Sequence, residues 1–186
     1  VPAIVFISPK GGVGKTTASL VLGTQFAKHG AAVTMIDANP NRPLRKWGTG
    51  AHCPENLSIV SNVHEESILD VIDAAASTTP FVIVDLEGTA AKIALLAVSQ
   101  ASLVIIPMQP SNLDADQASR ALVVIAQQQR MSRRKVPHAV LFTRTSTGDP
   151  HPDHDAHRPV AARGGCADAR NRVSRARGVS CDVRFQ

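Results

Sequence analysis

The stretch AIVFISPKGGVGKTTASL, Ala3 to Leu20, sets the tightest limit on what this chain can fold into. An unbroken apolar run passes through a turn holding Gly11, Gly12 and Gly14 into a segment with helical spacing. That order describes a buried strand joined to a helix by a tight main-chain loop. A strand apolar on both faces belongs inside a parallel sheet, and parallel neighbours need crossover helices.

The rest of the chain supplies them. Ala3 to Ser8 reads as a strand, Lys15 to Lys28 as a helix with Ala18, Leu22 and Phe26 along one face, and Gly30 as its end. Strands are expected at Ala32 to Ile36, Leu57 to Val60, Phe81 to Val84, Leu103 to Ile106 and Ala139 to Phe142. Helices are expected at Glu65 to Ala76, Thr89 to Ser99 and Asp114 to Arg130. The fold class is therefore α/β, a doubly wound and mostly parallel sheet with helices on both faces. Ligands are expected beyond the carboxyl ends of its strands. With 3% aromatic residues and no tyrosine, the core must be built from Val, Ile, Leu and Ala.

At 186 residues one core is the default, and residues 1–146 read as that domain. From Thr147 to Gln186 there is no Leu, Ile, Met, Lys or Glu, and no helical or strand period survives. Two readings stay open for residues 147–186. One is an irregular basic tail; the other is an out-of-frame product, because a shift of one nucleotide permits amphipathic, helix-like strings from the same codons. The coding DNA across Thr145 to Gly148 decides between them. The formal charge of +5 fits a polyanion partner without demanding one. Three cysteines without paired spacing argue against a disulfide scaffold or a zinc ribbon and fit a reducing, cytoplasmic setting. VPAIVFIS is too short to span a membrane and is followed by no cleavage pattern, so no membrane partner is expected.

The glycine loop carries the chemistry. A strand, a glycine-rich turn and a helix N-terminus present backbone N–H groups to a phosphate. Gly11, Gly12, Val13 and Gly14 let the main chain wrap the anion. Lys15 is placed to reach the β and γ phosphates of a nucleotide, Thr16 to ligate Mg²⁺, and Thr17 to reach the α phosphate. The general pattern GxxxxGK[ST] nevertheless fails at its first position, where Pro9 stands, and a second lysine, Lys10, follows it. Asp85, after the apolar run FVIV, puts a carboxylate near the expected metal. Glu87 beside it reads as a loop acid.

KGGVGKTT resembles the deviant Walker A motif of the ParA/MinD family of partition and positioning ATPases, and the similarity covers Ala3 to about Ser146. The resemblance implies that Lys10 reaches the phosphates bound by a second copy, and hence an ATP-dependent homodimer. It assigns Asp85 to the Walker B aspartate. It aligns MIDANP with the family's DxDP switch, with Asp37 as the first acid, a catalytic residue that itself or through a neighbour positions the attacking water, and Asn39 in place of the second, which implies slow hydrolysis because an amide cannot accept a proton from water. Pro107, Pro110 and Asp114 match a loop near the nucleotide or dimer face, where Asn112 or Asp114 would also serve as a helix N-cap. A base-contacting role is open for Phe142-Thr143-Arg144. Nonspecific DNA binding, drawing on Arg130, Arg133, Arg134 and Lys135, and a ParB-like stimulating partner are further implications. A non-hydrolysing ATP-binding switch or an inactive remnant is the competing reading. A nitrogenase-reductase-like role is set aside because only Cys53 precedes the tail.

Overall fold

The computed structural model describes residues 1–50, 52–88 and 92–145. The tail at 147–186, with both its readings, lies outside the described residues, as does the start of the helix expected from Thr89. Six strands form one sheet: β1 (Ala3–Phe6), β2 (Val33–Ala38), β3 (Leu57–Ser61), β4 (Phe81–Leu86), β5 (Leu103–Met108) and β6 (His138–Phe142). All pairings are parallel and the spatial order is β3-β2-β4-β1-β5-β6. The helices are α1 (Lys15–Lys28), α2 (Pro43–Gly48), α3 (Ile68–Thr78), α4 (Lys92–Gln100) and α5 (Asn112–Ser132). The expected α/β doubly wound architecture is the one observed.

Alternation along β1 builds two cores. Ala3, Val5 and Ile7 join Ile68, Ile72, Ala97, Val98, Ala121 and Ile125 under α3, α4 and α5. Ile4 and Phe6 join Met35, Ile83, Ala27 and Leu44 under α1 and α2. With helices on both faces, the strands are apolar throughout. After β1 the chain moves to one side of the sheet, and after β4 to the other. The crevice where these paths part lies at the carboxyl ends of β1 and β4, where Phe6 pairs with Asp85.

Several boundaries differ from expectation, with consequences for the site. β1 stops at Phe6 and not at Ser8, which lengthens the loop. β2 and β4 each run two residues past their expected ends, so Asp37 and Asp85 lie inside paired strand and directly opposite one another. The six-residue α2 was not expected, since a stretch this short shows no period. The N-cap of α5 is Ser111, whose hydroxyl accepts the N–H of Asp114; neither Asn112 nor Asp114 holds that position.

On α1 the fully buried stripe is Lys15, Ser19, Gly23 and Ala27, while Ala18, Leu22 and Phe26 are only partly buried. Small side chains let α1 lie close to the sheet. A Cβ on Gly23 would stand 2.7 Å from Met35 Sδ. The helix closes as anticipated: Gly30 adopts φ +84°, its N–H bonds Ala27 O, and Ala31 N–H reaches back to Phe26 O.

Candidate nucleotide site

The loop between β1 and α1 turns through Gly12 (φ +75°) and Gly14 (φ +89°), in the left-handed region that a side chain disfavours. Gly14 is the N-cap of α1, and no side chain caps that end. The first turn of α1 also lacks acidic residues. No acidic residue of α1 itself offsets its positive dipole end, a suitable seat for an anion. Thr143, just past β6, braces the loop from outside: its hydroxyl donates to Val13 O at 2.8 Å, and its methyl would lie 3.6 Å from a Cβ on Gly14.

The loop's lysines both find protein acceptors. Lys15 is buried and donates from Nζ to Lys10 O at 3.1 Å. Burial lowers its ammonium below the usual lysine range, against the opposing pull of Asp85 and Glu87. Lys10 Nζ forms an ion pair with Asp114, 104 residues away. Gly11 and Thr17 are exposed at the rim.

Thr16 Oγ1 donates to Asp85 Oδ2 at 2.6 Å. Asp85 is fully buried, and among the described residues its other oxygen, Oδ1, has no hydrogen-bond partner. Burial pushes its carboxyl up to about 6; the Thr16 bond and Lys15 work against this shift, and Asp37 adds to it. A buried, unsatisfied carboxylate oxygen is costly unless something else completes it. Asp85 and Thr16 present hard oxygen donors side by side, which suits Mg²⁺.

Asp37 faces Asp85 across the β2–β4 ladder and is 1% exposed. Its Oδ1 accepts Asn39 N–H at 3.3 Å and its Oδ2 accepts Arg45 N–H at 3.0 Å, so it holds the first turn of α2. Asn39 Oδ1 accepts Asn41 N–H at 2.9 Å. Lys10, Lys15, Thr16, Asp37 and Asp85 thus converge at one end of the sheet. Phe142-Thr143-Arg144 lies at the same end, where Thr143 contacts the loop.

Sequence reasoning missed the roles of two residues. Asp114 reads as part of a loop near the nucleotide or dimer face, or as a helix cap, and its lysine partner is too remote in sequence to be read. Thr143 reads as a strand-end residue with a base-contacting role open, and its contact with the loop depends on the β5–β6 pairing. All four residues of the basic cluster are exposed, and of these Arg134 donates to the carbonyls of Ser99 and Ala101 at the end of α4. No helix among the described residues is long and apolar enough to cross a membrane.

A family profile described as VirC1 protein matches residues 1–150. The chain is 45% identical over 145 residues to a protein named ParA from Rhizobium radiobacter, covering 78% of this chain and 65% of that relative. It is 27% identical over 157 residues to the virC1 protein of Rhizobium rhizogenes, again covering 78% of this chain and 65% of the relative. The chain therefore spans a little under two thirds of each of these two relatives. Among solved structures, the MinD cell division protein of Aquifex aeolicus superposes with a TM-score of 0.63 at 23% identity, covering 78% of this chain and 70% of that one. That likeness is one of fold, the P-loop nucleoside triphosphatase fold. The profile spans most of the sequence and the 45% relative agrees with it, so the chain belongs to the VirC1 family, within the ParA/MinD group of P-loop proteins.

Proposed function

We propose that residues 1–146 form a Mg²⁺-dependent ATPase that turns over slowly, converting ATP and water to ADP and phosphate. One observation carries this reading: Thr16 paired with buried Asp85, whose other carboxylate oxygen is unsatisfied, at the foot of an uncapped glycine loop. The first-turn N–H groups of α1 and the loop main chain seat the phosphates, Lys15 answers their charge, and Thr16 and Asp85 hold the metal. Mg²⁺, when bound, neutralises charge on the β and γ oxygens. Asp37, with its oxygens occupied by backbone donors, fixes the switch segment that carries Asn39. Lys10 serves the phosphates of a second copy, making assembly ATP-dependent.

Lys15→Ala is expected to weaken fluorescent-ATP binding by about 100-fold, since it removes a charge-assisted contact from a buried site. Unchanged binding with Mg²⁺ present refutes the assignment. The competing reading, a non-hydrolysing switch, is favoured by Asn39, whose amide oxygen is engaged by Asn41 N–H. Single-turnover phosphate release separates the two, because a switch binds ATP and releases none. Asn39→Asp is expected to raise the basal rate by about 10-fold or more; an unchanged rate removes Asn39 as the limiting feature.

The physiological role that fits is partition or positioning of a DNA replicon, supported by the relative named ParA. Nonspecific DNA binding through Arg130, Arg133 and Lys135 belongs to this reading and would be salt-dependent. A ParB-like partner that stimulates hydrolysis belongs to it as well, as does a cytoplasmic location.

A further inference from the structure

In this structure the protein itself satisfies Lys10 and Lys15. Lys15 is turned onto the Lys10 carbonyl, and the Lys10 ammonium is paired with Asp114. The two members of that pair differ in exposure and in how many bonds hold them. Asp114 is 1% exposed, and its Oδ2 accepts Gln109 N–H at 2.9 Å while its own N–H donates to Ser111 Oγ at 3.2 Å. Lys10 is 35% exposed and is followed by the exposed glycines Gly11 and Gly12. A lysine is a point charge on a flexible stem and exchanges acceptors readily.

We propose that Asp114 is a latch that holds Lys10 within its own subunit, so that nucleotide-driven pairing of two copies requires Lys10 to leave this carboxylate for phosphate oxygens. The proposal rests on the reading above that Lys10 serves a second copy. A buried acid stripped of its cation is normally destabilising. Here the loss is moderated, because Asp114 lies in the first turn of α5, at the positive end of the helix dipole, and keeps the Gln109 donor. Burial works to raise its carboxyl, but the bonds from Lys10, Gln109 and Ser111 prevail and leave it below the usual range. With Lys10 in place the acid is therefore charged, and the closed latch is an ion pair.

The test is an ATP–Mg²⁺ titration of the full chain and of Asp114→Asn, with assembly followed by sedimentation and nucleotide affinity by fluorescent ATP. Asn keeps an acceptor for Gln109 N–H but loses the charge. The expected result is a fall of about 10-fold in the ATP concentration at half-assembly, with little change in monomer affinity or melting temperature. An unchanged or raised midpoint overturns the latch. If the unsubstituted chain binds no ATP or never pairs, the reading of function fails, and the latch is then decided by a second measurement, which also serves if the variant does not fold. In that measurement, reductive methylation of the nucleotide-free chain is read by mass spectrometry. Lys10 should react several-fold more slowly than exposed Lys46; equal rates overturn the proposal.

Discussion

Asp85 concentrates the conflict between stability and use in one carboxyl group. Its acid form is favoured by burial, so the ionised group destabilises the metal-free fold. The sign follows: the penalty is absent below the ordinary carboxylate range, grows as pH rises, and is complete above about 6. Asp85→Asn should therefore stabilise the metal-free protein at pH 7.5 by roughly 1–3 kcal/mol, with the gain fading toward pH 4. Urea midpoints at the two pH values check this. The same substitution should abolish any gain in nucleotide affinity from added Mg²⁺, and in the unsubstituted protein that gain should decline below about pH 6. Most of the candidate site was legible at this scale. Lys10, Lys15, Thr16, Asp37 and Asp85 are spaced by local rules that a single sequence displays. Asp114 and Thr143 were not legible in these roles, because their partners are fixed by strand order and not by spacing.

Strands were the easier elements to read: an apolar run bounded by turn residues leaves few alternatives when both faces are buried. α1 was read with the right limits and an offset face, since a stripe of Lys, Ser, Gly and Ala gives no hydrophobic signal even where it lies deepest. α2 escaped because six residues cannot display a period, and its start is tied by Asp37, not by a local cap. Pro107 reads as a strand breaker in isolation. In β5 it lies beyond the stretch paired with β1 and opposite Leu141 of β6, where a missing N–H on the β1 side costs nothing. The end of α4 is closed from a distance by Arg134, which donates to the Ser99 and Ala101 carbonyls. Arg134→Ala should cost about 1–2 kcal/mol in urea unfolding, whereas Arg130→Ala, at an exposed helix end, should stay within about 0.5 kcal/mol. Equal effects would show that the cluster acts as undifferentiated surface charge.

Among the described residues, six parallel strands deliver their carboxyl ends to one edge, and this convergence makes a site from segments that share no sequence neighbourhood. β6 sits at the border of the sheet, with Val140 and Phe142 partly exposed beside the strand end that braces the loop. Asp37 links this edge to the surface in a way that can be read from outside. A helix of six residues has no independent stability; α2 is held by buried Leu44 in the core and by Asp37, which accepts the N–H groups of Asn39 and Arg45. That helix carries Arg45 and Lys46, both exposed, followed by Lys46 and Trp47, whereas Arg42 is shielded from trypsin by Pro43. Limited trypsin digestion of Asp37→Ala should cut after Arg45 or Lys46 several-fold faster than in the unsubstituted chain, and an equal rate would separate α2 from the acid. The buried carboxylate at the end of β2 thus has a peptide bond on the surface as its gauge, and a protease can report the state of the nucleotide site without any nucleotide being measured.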